Sequence, residues 1–215
     1  MTQQSKFLHH SPCENCGSRD NVAVYDDHTF CFGCQQYKKT NGDLPRVQKK
    51  TDFKMIEGIC EALPSRKIDS ETCQKFNYQT GTYKGKPVHI ANYYDKNFSV
   101  TAQHLRFADK SFIWIGDTNI SLFGQNLWRD GGKTVIITEG EIDCLSVSKV
   151  QNNRYPVVSV PSGATSAKKY IKRELEWLSK FENIVLMFDQ DEAGRQATID
   201  CANILPVKKV KIASL

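Results

Sequence analysis

From residue 133 onward, short apolar runs alternate with longer segments in which apolar residues recur at helical spacing. The predicted strands are 134–138, 156–160, 184–188 and 210–213. The predicted helices are 141–151, 166–180 and 192–205. Strands that are apolar throughout are buried on both faces, as in a parallel sheet covered by helices. This alternation therefore constrains the segment to an α/β fold with a parallel sheet and flanking helices.

Acidic residues follow two of these strands. Glu139 stands at the carboxyl end of the first, and Asp143 comes four residues later, on the same side of the helix start. Asp189 and Asp191 follow 184–188 and point the same way along an extended segment. Ligand sites of open α/β sheets lie beyond the carboxyl ends of the strands. We therefore expect these residues to form one acidic site, in which Gly140 lets backbone or a phosphate come close.

Carboxylates together with substrate phosphates are sufficient ligands for Mg²⁺. Paired metal ions can clamp the attacking and leaving oxygens of a displacement at phosphorus. The sequence therefore predicts Mg²⁺ ligands at Glu139, Asp189 and Asp191. The alternative is that the acids only stabilise helix N-termini; four acids at two strand ends argue against it.

Four cysteines near the N-terminus have the spacing of a zinc ribbon. Cys13 and Cys16 form one CxxC pair and, after fourteen residues, Cys31 and Cys34 form another. Four thiolates complete a tetrahedron around Zn²⁺, and a segment of this length needs the metal to fold. Chance cysteines or a redox pair are the alternatives.

Aromatic and polar residues lie between the two cysteine pairs. Tyr25, Asp26 and His28 form a predicted DNA-binding set, because bases of single-stranded DNA stack on flat side chains. The alternative is that His28 is an ordinary surface or packing histidine.

The chain divides by composition into four segments. Residues 1–37 are the predicted zinc-binding ribbon, 38–54 a basic flexible linker, 55–132 a mixed α+β subdomain, and 133–215 the parallel-sheet domain. Within 55–132 we expect a capped helix beginning near Ser70, and strands at 88–94 and 98–107 joined by a hairpin.

Charge and hydropathy bear on whether the protein binds nucleic acid, crosses a membrane or is secreted. The net charge of +5 suits a nucleic-acid partner without requiring one. No apolar stretch reaches the roughly 18–20 residues of a membrane span, and the N-terminus lacks the pattern of a secretory signal. We therefore expect no membrane association and a location in a reducing compartment, the cytoplasm.

These motifs together resemble a known family. CENC…HTFCFGC, VIITEGEIDCLSV, PVVSVPSGATSAKK and IVLMFDQDEAGRQA look like the primase half of T-odd bacteriophage primase–helicases. The resemblance extends over nearly the whole chain. It implies a zinc-binding domain joined flexibly to an RNA polymerase domain that contains a TOPRIM fold.

The resemblance also implies roles for individual residues. Asp26 and His28 match template-reading positions, and Glu139, Asp143, Asp189 and Asp191 match metal-binding acids. The family also has basic residues beside its active site that hold nucleotide phosphates or template. The matching residues here are Arg66, Arg106 and Lys110. His104 stands where the family usually carries a lysine.

The implied function is a DNA primase that makes short RNA primers by Mg²⁺-dependent nucleotidyl transfer. Its partners are a single-stranded DNA template, ribonucleoside triphosphates and a hexameric helicase domain beyond residue 215, and a viral source would place it in the host-cell cytoplasm. We expect the TOPRIM domain to continue past residue 215. The alternatives are a TOPRIM nuclease or topoisomerase fragment, and a non-catalytic zinc-ribbon module that binds single-stranded DNA.

Overall fold

The computed structural model of the chain describes residues 5–39, 54–95, 97–117 and 120–213. The chain forms two compact units, residues 1–50 and 51–215, and each is described by itself. Most of the predicted linker, residues 40–53, lies outside the described residues. No described helix has the length and apolar character that crossing a membrane requires.

The first unit is an antiparallel sheet of four strands in chain order. The strands are β1 (Phe7–Ser11), β2 (Val22–Tyr25), β3 (His28–Cys31) and β4 (Tyr37–Lys39). Its buried apolar residues, among those described, are two cysteines plus Ala23 and Val24. Because so small a core cannot offset the entropy of ordering the chain, this sheet depends on a cross-link at its cysteines.

The second unit begins with a five-stranded antiparallel sheet whose strands also follow chain order. The strands are β5 (Gly58–Ile59), β6 (Tyr78–Tyr83), β7 (Lys86–Tyr94), β8 (Val100–Phe107) and β9 (Phe112–Gly116). The predicted hairpin joins β7 to β8. Asp95 closes it, because its carboxylate accepts hydrogen bonds from the backbone N–H groups of Asn97 and Ser99, at 2.8 and 3.0 Å.

One short helix, α1 (Ser70–Phe76), precedes β6. The helix begins at Ser70, as predicted, and the residue that caps it is Asp69. The Asp69 carboxylate accepts a hydrogen bond from the backbone N–H of Thr72 at 2.9 Å. Lys149 lies 3.3 Å from the same carboxylate.

The rest of the second unit is the predicted parallel sheet, and its fold class is confirmed. Its strands are β10 (Gly132–Thr138), β11 (Val157–Ser159), β12 (Phe181–Met187) and β13 (Val210–Ile212). The spatial order is β11-β10-β12-β13, and every pair is parallel. The connecting helices are α2 (Glu141–Val150), α3 (Ala164–Arg173), α4 (Leu175–Leu178) and α5 (Glu192–Ala202).

The second predicted helix, 166–180, is divided in the structure. It breaks at Glu174, between α3 and α4. The break turns Trp177 and Leu178 into the core, where the Trp177 ring lies 4.9 Å from that of Phe181. Helical periodicity alone did not reveal this change of direction.

The larger of two hydrophobic clusters in the described part of the second unit joins its two sheets. Phe123 is central to it. Its backbone exchanges hydrogen bonds of 2.9 and 3.2 Å with Ser159 of β11, and its ring packs on Phe76, Tyr78 and Tyr93 from the antiparallel side. The antiparallel sheet is therefore fixed relative to the parallel one.

We expect Asp69→Ala to lower the free energy of unfolding of the second unit by about 1 kcal/mol, since α1 loses its N-terminal acceptor. Urea unfolding followed by circular dichroism measures this. Glu182→Ala removes an exposed acid from β12 and should change stability by no more than about 0.5 kcal/mol. Equal effects of the two substitutions would contradict the capping role.

Candidate active site and metal centre

The acids come together because β10 and β12 pair in parallel with Thr138 opposite Met187. Glu139 and Asp189 follow these strands and emerge at the same edge of the sheet. The Glu139 carboxylate accepts hydrogen bonds from the backbone N–H groups of Asp189 and of Ala164, each at 3.3 Å. Glu139 thus links the ends of two strands to the first residue of α3.

Asp191 and Gly194 shape the start of α5. The Asp191 carboxylate accepts a hydrogen bond from the backbone N–H of Gly194 at 2.7 Å, so Asp191 is the N-cap. A β-carbon on Gly194 would lie 2.0 Å from the carbonyl oxygen of Asp189. Only glycine therefore allows the Asp189 backbone to pack against this helix as it does.

Asp143 turns back over the start of α2. A β-carbon on Gly140 would lie 2.8 Å from the Asp143 carboxylate oxygen. The sequence predicted a close approach at Gly140, and the group that comes close is the Asp143 carboxylate itself.

The acids interact electrostatically. Burial, followed by the charges of Asp189 and Asp191, raises the pKa of Glu139, although the two backbone N–H groups oppose the shift. Burial and the Asp189 charge raise the pKa of Asp143 as well, although this carboxylate keeps contact with solvent. Asp189 therefore lies within electrostatic reach of both Glu139 and Asp143. A cation among them would favour their charged forms.

Two of the three predicted cations act on this cluster. Arg66, at the end of a short 3-10 turn, and Arg106, on β8, both oppose the rise in the pKa of Asp143. Lys110 lies in the tight turn between β8 and β9, where it forms no side-chain hydrogen bond or ion pair with a described residue.

His89 was not predicted. It lies on β7 directly opposite Arg106, and its Nδ1 is buried without a hydrogen-bond partner among the described residues. Burial, followed by the charges of Arg106 and Arg66, lowers the pKa of His89. No sequence motif marks this residue, because its position depends on the pairing of β7 with β8.

A second unpredicted group surrounds Glu141. Its carboxylate lies 2.6 Å from Nδ1 of His104 and accepts a hydrogen bond from the Tyr93 hydroxyl at 2.8 Å. The His104 ring is stacked between Trp114 and Phe112, with centroid distances of 4.2 and 4.9 Å. Glu141 lies in the same EGEID motif, but the i, i+4 spacing predicted a site only at Glu139 and Asp143.

The four predicted zinc ligands converge in the first unit. All their sulfur atoms lie within 4.8 Å of one another, and Cys13–Cys34 and Cys16–Cys31 are each separated by 3.7 Å. A tetrahedron with Zn–S bonds of about 2.3 Å has edges of about 3.8 Å. The separation is far too long for a disulfide of about 2.05 Å. The donor set therefore fits zinc.

Neighbouring groups favour the metal-binding thiolate form of two of these cysteines. Ser18, whose hydroxyl lies 3.3 Å from the sulfur, lowers the pKa of Cys16 to about 6. The Asn15 side chain donates to the Cys34 sulfur at 3.4 Å and lowers the pKa of Cys34.

The backbone turns differently at the two CxxC pairs. At the first pair Gly17 adopts a left-handed conformation, with φ of 69°, whereas at the second pair the left-handed residue is Gln35. Gly33 is needed for space instead, because a β-carbon there would lie 3.2 Å from the Cys16 sulfur.

The predicted DNA-binding residues surround the hairpin between β2 and β3. The rings of Tyr25 and His28 are stacked 4.3 Å apart and almost parallel. Asp26 accepts a hydrogen bond from the backbone N–H of Lys6 at 2.9 Å. Asp27, which was not among the predicted residues, lies 2.7 Å from Nδ1 of His28.

The acidic cluster is more open than the cysteine cluster. Within the described ranges, only the cysteines bring three or more His, Cys, Asp or Glu ligand atoms within 4.8 Å of one another. Wider spacing suits Mg²⁺, which keeps water and substrate oxygens in its coordination shell. A cavity of about 870 Å³ lies near Gly132 and Pro156, at the amino ends of β10 and β11, and so does not contain the acids.

Comparison with known proteins identifies the family. Residues 58–116 match the N-terminal α+β fold of bacteriophage T7 DNA helicase/primase, and residues 136–215 match the Toprim-like family. The crystal structure of the primase fragment of the bacteriophage T7 primase–helicase is 40% identical, with a TM-score of 0.74. That match covers 97% of this chain and 90% of the fragment. The chain belongs to the T7 primase–helicase family.

Other relatives agree with this membership. The DNA helicase/primase of Enterobacteria phage T3 is 40% identical over 98% of this chain, which spans 40% of that protein's length. A second T7 structure contains the lagging-strand DNA polymerase interacting with primase domains of two gp4 subunits bound to an RNA/DNA hybrid and dTTP. It is 43% identical, with a TM-score of 0.70, over 74% of this chain and 82% of that one.

The fold is also shared more widely. The catalytic core of E. coli primase aligns over 71% of this chain and 63% of that core, with a TM-score of 0.53 at 14% identity. At that identity the likeness concerns the fold alone.

We expect Gly194→Ala to destabilise the second unit by about 1–3 kcal/mol, because the added methyl group overlaps the Asp189 carbonyl. The measurement is the midpoint of urea unfolding. Gln196→Ala, on the exposed side of the same helix, is the matched control and should have little effect. An unchanged midpoint for Gly194→Ala would show that the Asp189 segment can move aside without cost.

Proposed function

We propose that this chain is the primase part of a phage primase–helicase and catalyses template-directed synthesis of short RNA primers on single-stranded DNA. The observation that carries the proposal is the meeting of Glu139 and Asp189 at one edge of a Toprim-like sheet, where the backbone N–H of Asp189 donates to the Glu139 carboxylate at 3.3 Å. Family membership supports the same reaction. The helicase partner beyond residue 215 and the host-cell cytoplasm as location belong to this proposal.

In this proposal Glu139, Asp189 and Asp191 hold Mg²⁺, and Asp143 completes the acidic site. Mg²⁺ held there would neutralise charge on the incoming triphosphate, whose α-phosphorus is attacked by the 3′-hydroxyl of the first nucleotide with pyrophosphate as the leaving group. The protein's contribution is chiefly positioning. Backbone N–H groups fix the Glu139 carboxylate, and capping of α5 fixes Asp191, so both are oriented before substrate arrives.

Arg66 and Arg106 are proposed to bind nucleotide phosphates or template next to the acids. Guanidinium groups are well suited to phosphate because they donate in a planar, two-pronged geometry. The unpaired Nδ1 of His89, opposite Arg106, adds a polar atom to the same patch. Lys110 is proposed to act at the edge of this patch, where its turn is exposed to solvent.

The first unit is proposed to be a zinc ribbon that binds the template through Tyr25, Asp26 and His28. The proposed boundaries between ribbon, linker, subdomain and TOPRIM domain lie after residues 37, 54 and 132. Strand β4 extends two residues past the first of them.

Asp189→Asn should reduce dinucleotide synthesis at least about 10²-fold, because the acidic site loses a charged oxygen ligand. The assay combines ribonucleotides, Mg²⁺ and a library of single-stranded templates, with labelled RNA as the product. Glu192→Gln removes one charge three residues away, at a side chain that is 92% exposed, and should retain full activity.

Retained synthesis by Asp189→Asn would contradict the metal assignment. Cleavage of DNA by the parent chain with Mg²⁺ alone, and no RNA product, would instead favour a Toprim nuclease.

Removing zinc should unfold the first unit and leave the second intact. A chelator is expected to abolish amide protection at residues 5–39 in hydrogen-exchange mass spectrometry, because the metal replaces a core that this unit lacks. Protection at residues 54–213 should not change. Cys60→Ser, outside the cluster, is the control that should retain zinc; full protection of residues 5–39 in the chelated protein would contradict a structural metal.

A further inference from the structure

The His28 ring of the first unit is confined on three sides. Tyr25 covers one face, at 4.3 Å and 6° between planes, and Tyr37 of β4 covers the other, at 5.0 Å and 27°. Asp27 lies 2.7 Å from Nδ1 on one edge. The side chain as a whole is 18% exposed, so the ring cannot turn without breaking this arrangement.

Asp27 fixes the protonation pattern of the ring. Its carboxylate also accepts a hydrogen bond from the Ser5 hydroxyl at 2.8 Å. The hydrogen bonds from His28 and Ser5 lower the pKa of Asp27, so it is a carboxylate and can only accept. The proton therefore sits on Nδ1 of His28, and in the neutral ring Nε2 is a hydrogen-bond acceptor.

That acceptor has no assigned partner. Nε2 of His28 makes no hydrogen bond with any described residue, whereas both ring faces and Nδ1 are occupied. Exocyclic amines of bases are nucleic-acid groups that can donate to such an acceptor. A base that presents only a carbonyl oxygen to Nε2 would place two hydrogen-bond acceptors opposite each other and bind less well.

The stack ends in an open aromatic surface at Tyr37. Phe7 meets Tyr25 edge-on at 5.7 Å and so closes the other end, whereas Tyr37 is 58% exposed. Lys39 stands directly opposite His28 on the neighbouring strand and supplies a positive charge beside the stack. Exposed rings next to cations are the features that bind successive bases and backbone of single strands.

We infer that Asp27 positions His28 to accept a hydrogen bond from an exocyclic amine of one template base, and that Tyr37 stacks on the neighbouring base. The inference rests on the proposed binding of single-stranded DNA by this unit. It adds two positioning and stacking residues, Asp27 and Tyr37, to the set predicted from the sequence.

The test begins with the zinc-loaded 215-residue chain and a random single-stranded DNA library, from which bound sequences are recovered. Fluorescence anisotropy then compares the preferred oligonucleotide with versions that lack one amine, uracil for cytosine and hypoxanthine for adenine or guanine. At one position the parent chain should discriminate about five- to tenfold, as expected for one net hydrogen bond.

Asp27→Asn should remove most of this discrimination while leaving zinc content and affinity for the amine-free oligonucleotide unchanged. The ¹⁵N shifts of the His28 ring should also move toward a mixture of tautomers, and the unchanged zinc content shows that this change does not come from unfolding of the unit. Asp20→Asn, an exposed residue of the same unit, is the control with the same charge change and should keep the discrimination.

Tyr37→Ala should weaken binding of every oligonucleotide by about tenfold or more, and Tyr37→Phe should restore it, because stacking is tolerant of sequence. Phe32→Ala removes an aromatic of similar exposure, 62%, outside the stack and should have no such effect.

Unchanged discrimination in Asp27→Asn, or equal weakening of both oligonucleotides, would overturn the role of Asp27. Equal effects of Tyr37→Ala and Phe32→Ala would overturn that of Tyr37. A parent chain that binds DNA without discriminating amines would overturn the acceptor assignment. Failure of the parent chain to bind any single-stranded DNA would instead remove the proposed template binding itself.

Discussion

The parallel pairing of β10 with β12 determines where the acidic site can form. Thr138 lies opposite Met187, so Glu139 and Asp189 leave the sheet at one edge, with the Asp189 N–H 3.3 Å from the Glu139 carboxylate. A slip of one residue would exchange the faces to which the side chains of a strand point. Both strands carry buried residues, so the core that fixes the register also fixes the distance between these acids.

Helix capping and metal binding are not exclusive explanations of these acids. Asp191 caps α5, and Glu139 accepts from the first N–H of α3, as the capping alternative predicts. Asp189 is different, because its carboxylate makes no hydrogen bond with a described residue, and its charge raises the pKa of both Glu139 and Asp143. Capping therefore orients some carboxylates, and an uncompensated one remains between them. Repulsion remains among these acids although Arg66 and Arg106 oppose the rise in the pKa of Asp143, and this repulsion favours a site that binds a metal ion.

The sequence was most informative where the signal is local. Continuous apolar runs predicted all four strands of the parallel sheet, and CxxC spacing predicted the cysteine cluster, because each pattern follows from a few neighbouring residues. The cap at Asp69 was missed because Ser70 is an equally good N-cap by residue type. The break at Glu174 was missed because it depends on the burial of Trp177, which is a tertiary contact. Contacts such as His104 with Glu141 join segments 37 residues apart, so no local pattern contains them.

The surroundings of His104 show what its side chain contributes at a position where the family resemblance implies a lysine. A lysine would place a mobile charge beside Glu141, whereas the imidazole is clamped between Trp114 and Phe112 and tied to the carboxylate at 2.6 Å. Tyr93 holds the same carboxylate from the core, and burial together with the Glu141 charge raises the pKa of Tyr93, so its hydroxyl remains a donor. Glu141 is therefore fixed from two sides at the start of α2, two residues from Glu139 and from Asp143. This rigid support keeps the Glu141 carboxylate in place, so that it needs no further ordering when a ligand binds nearby.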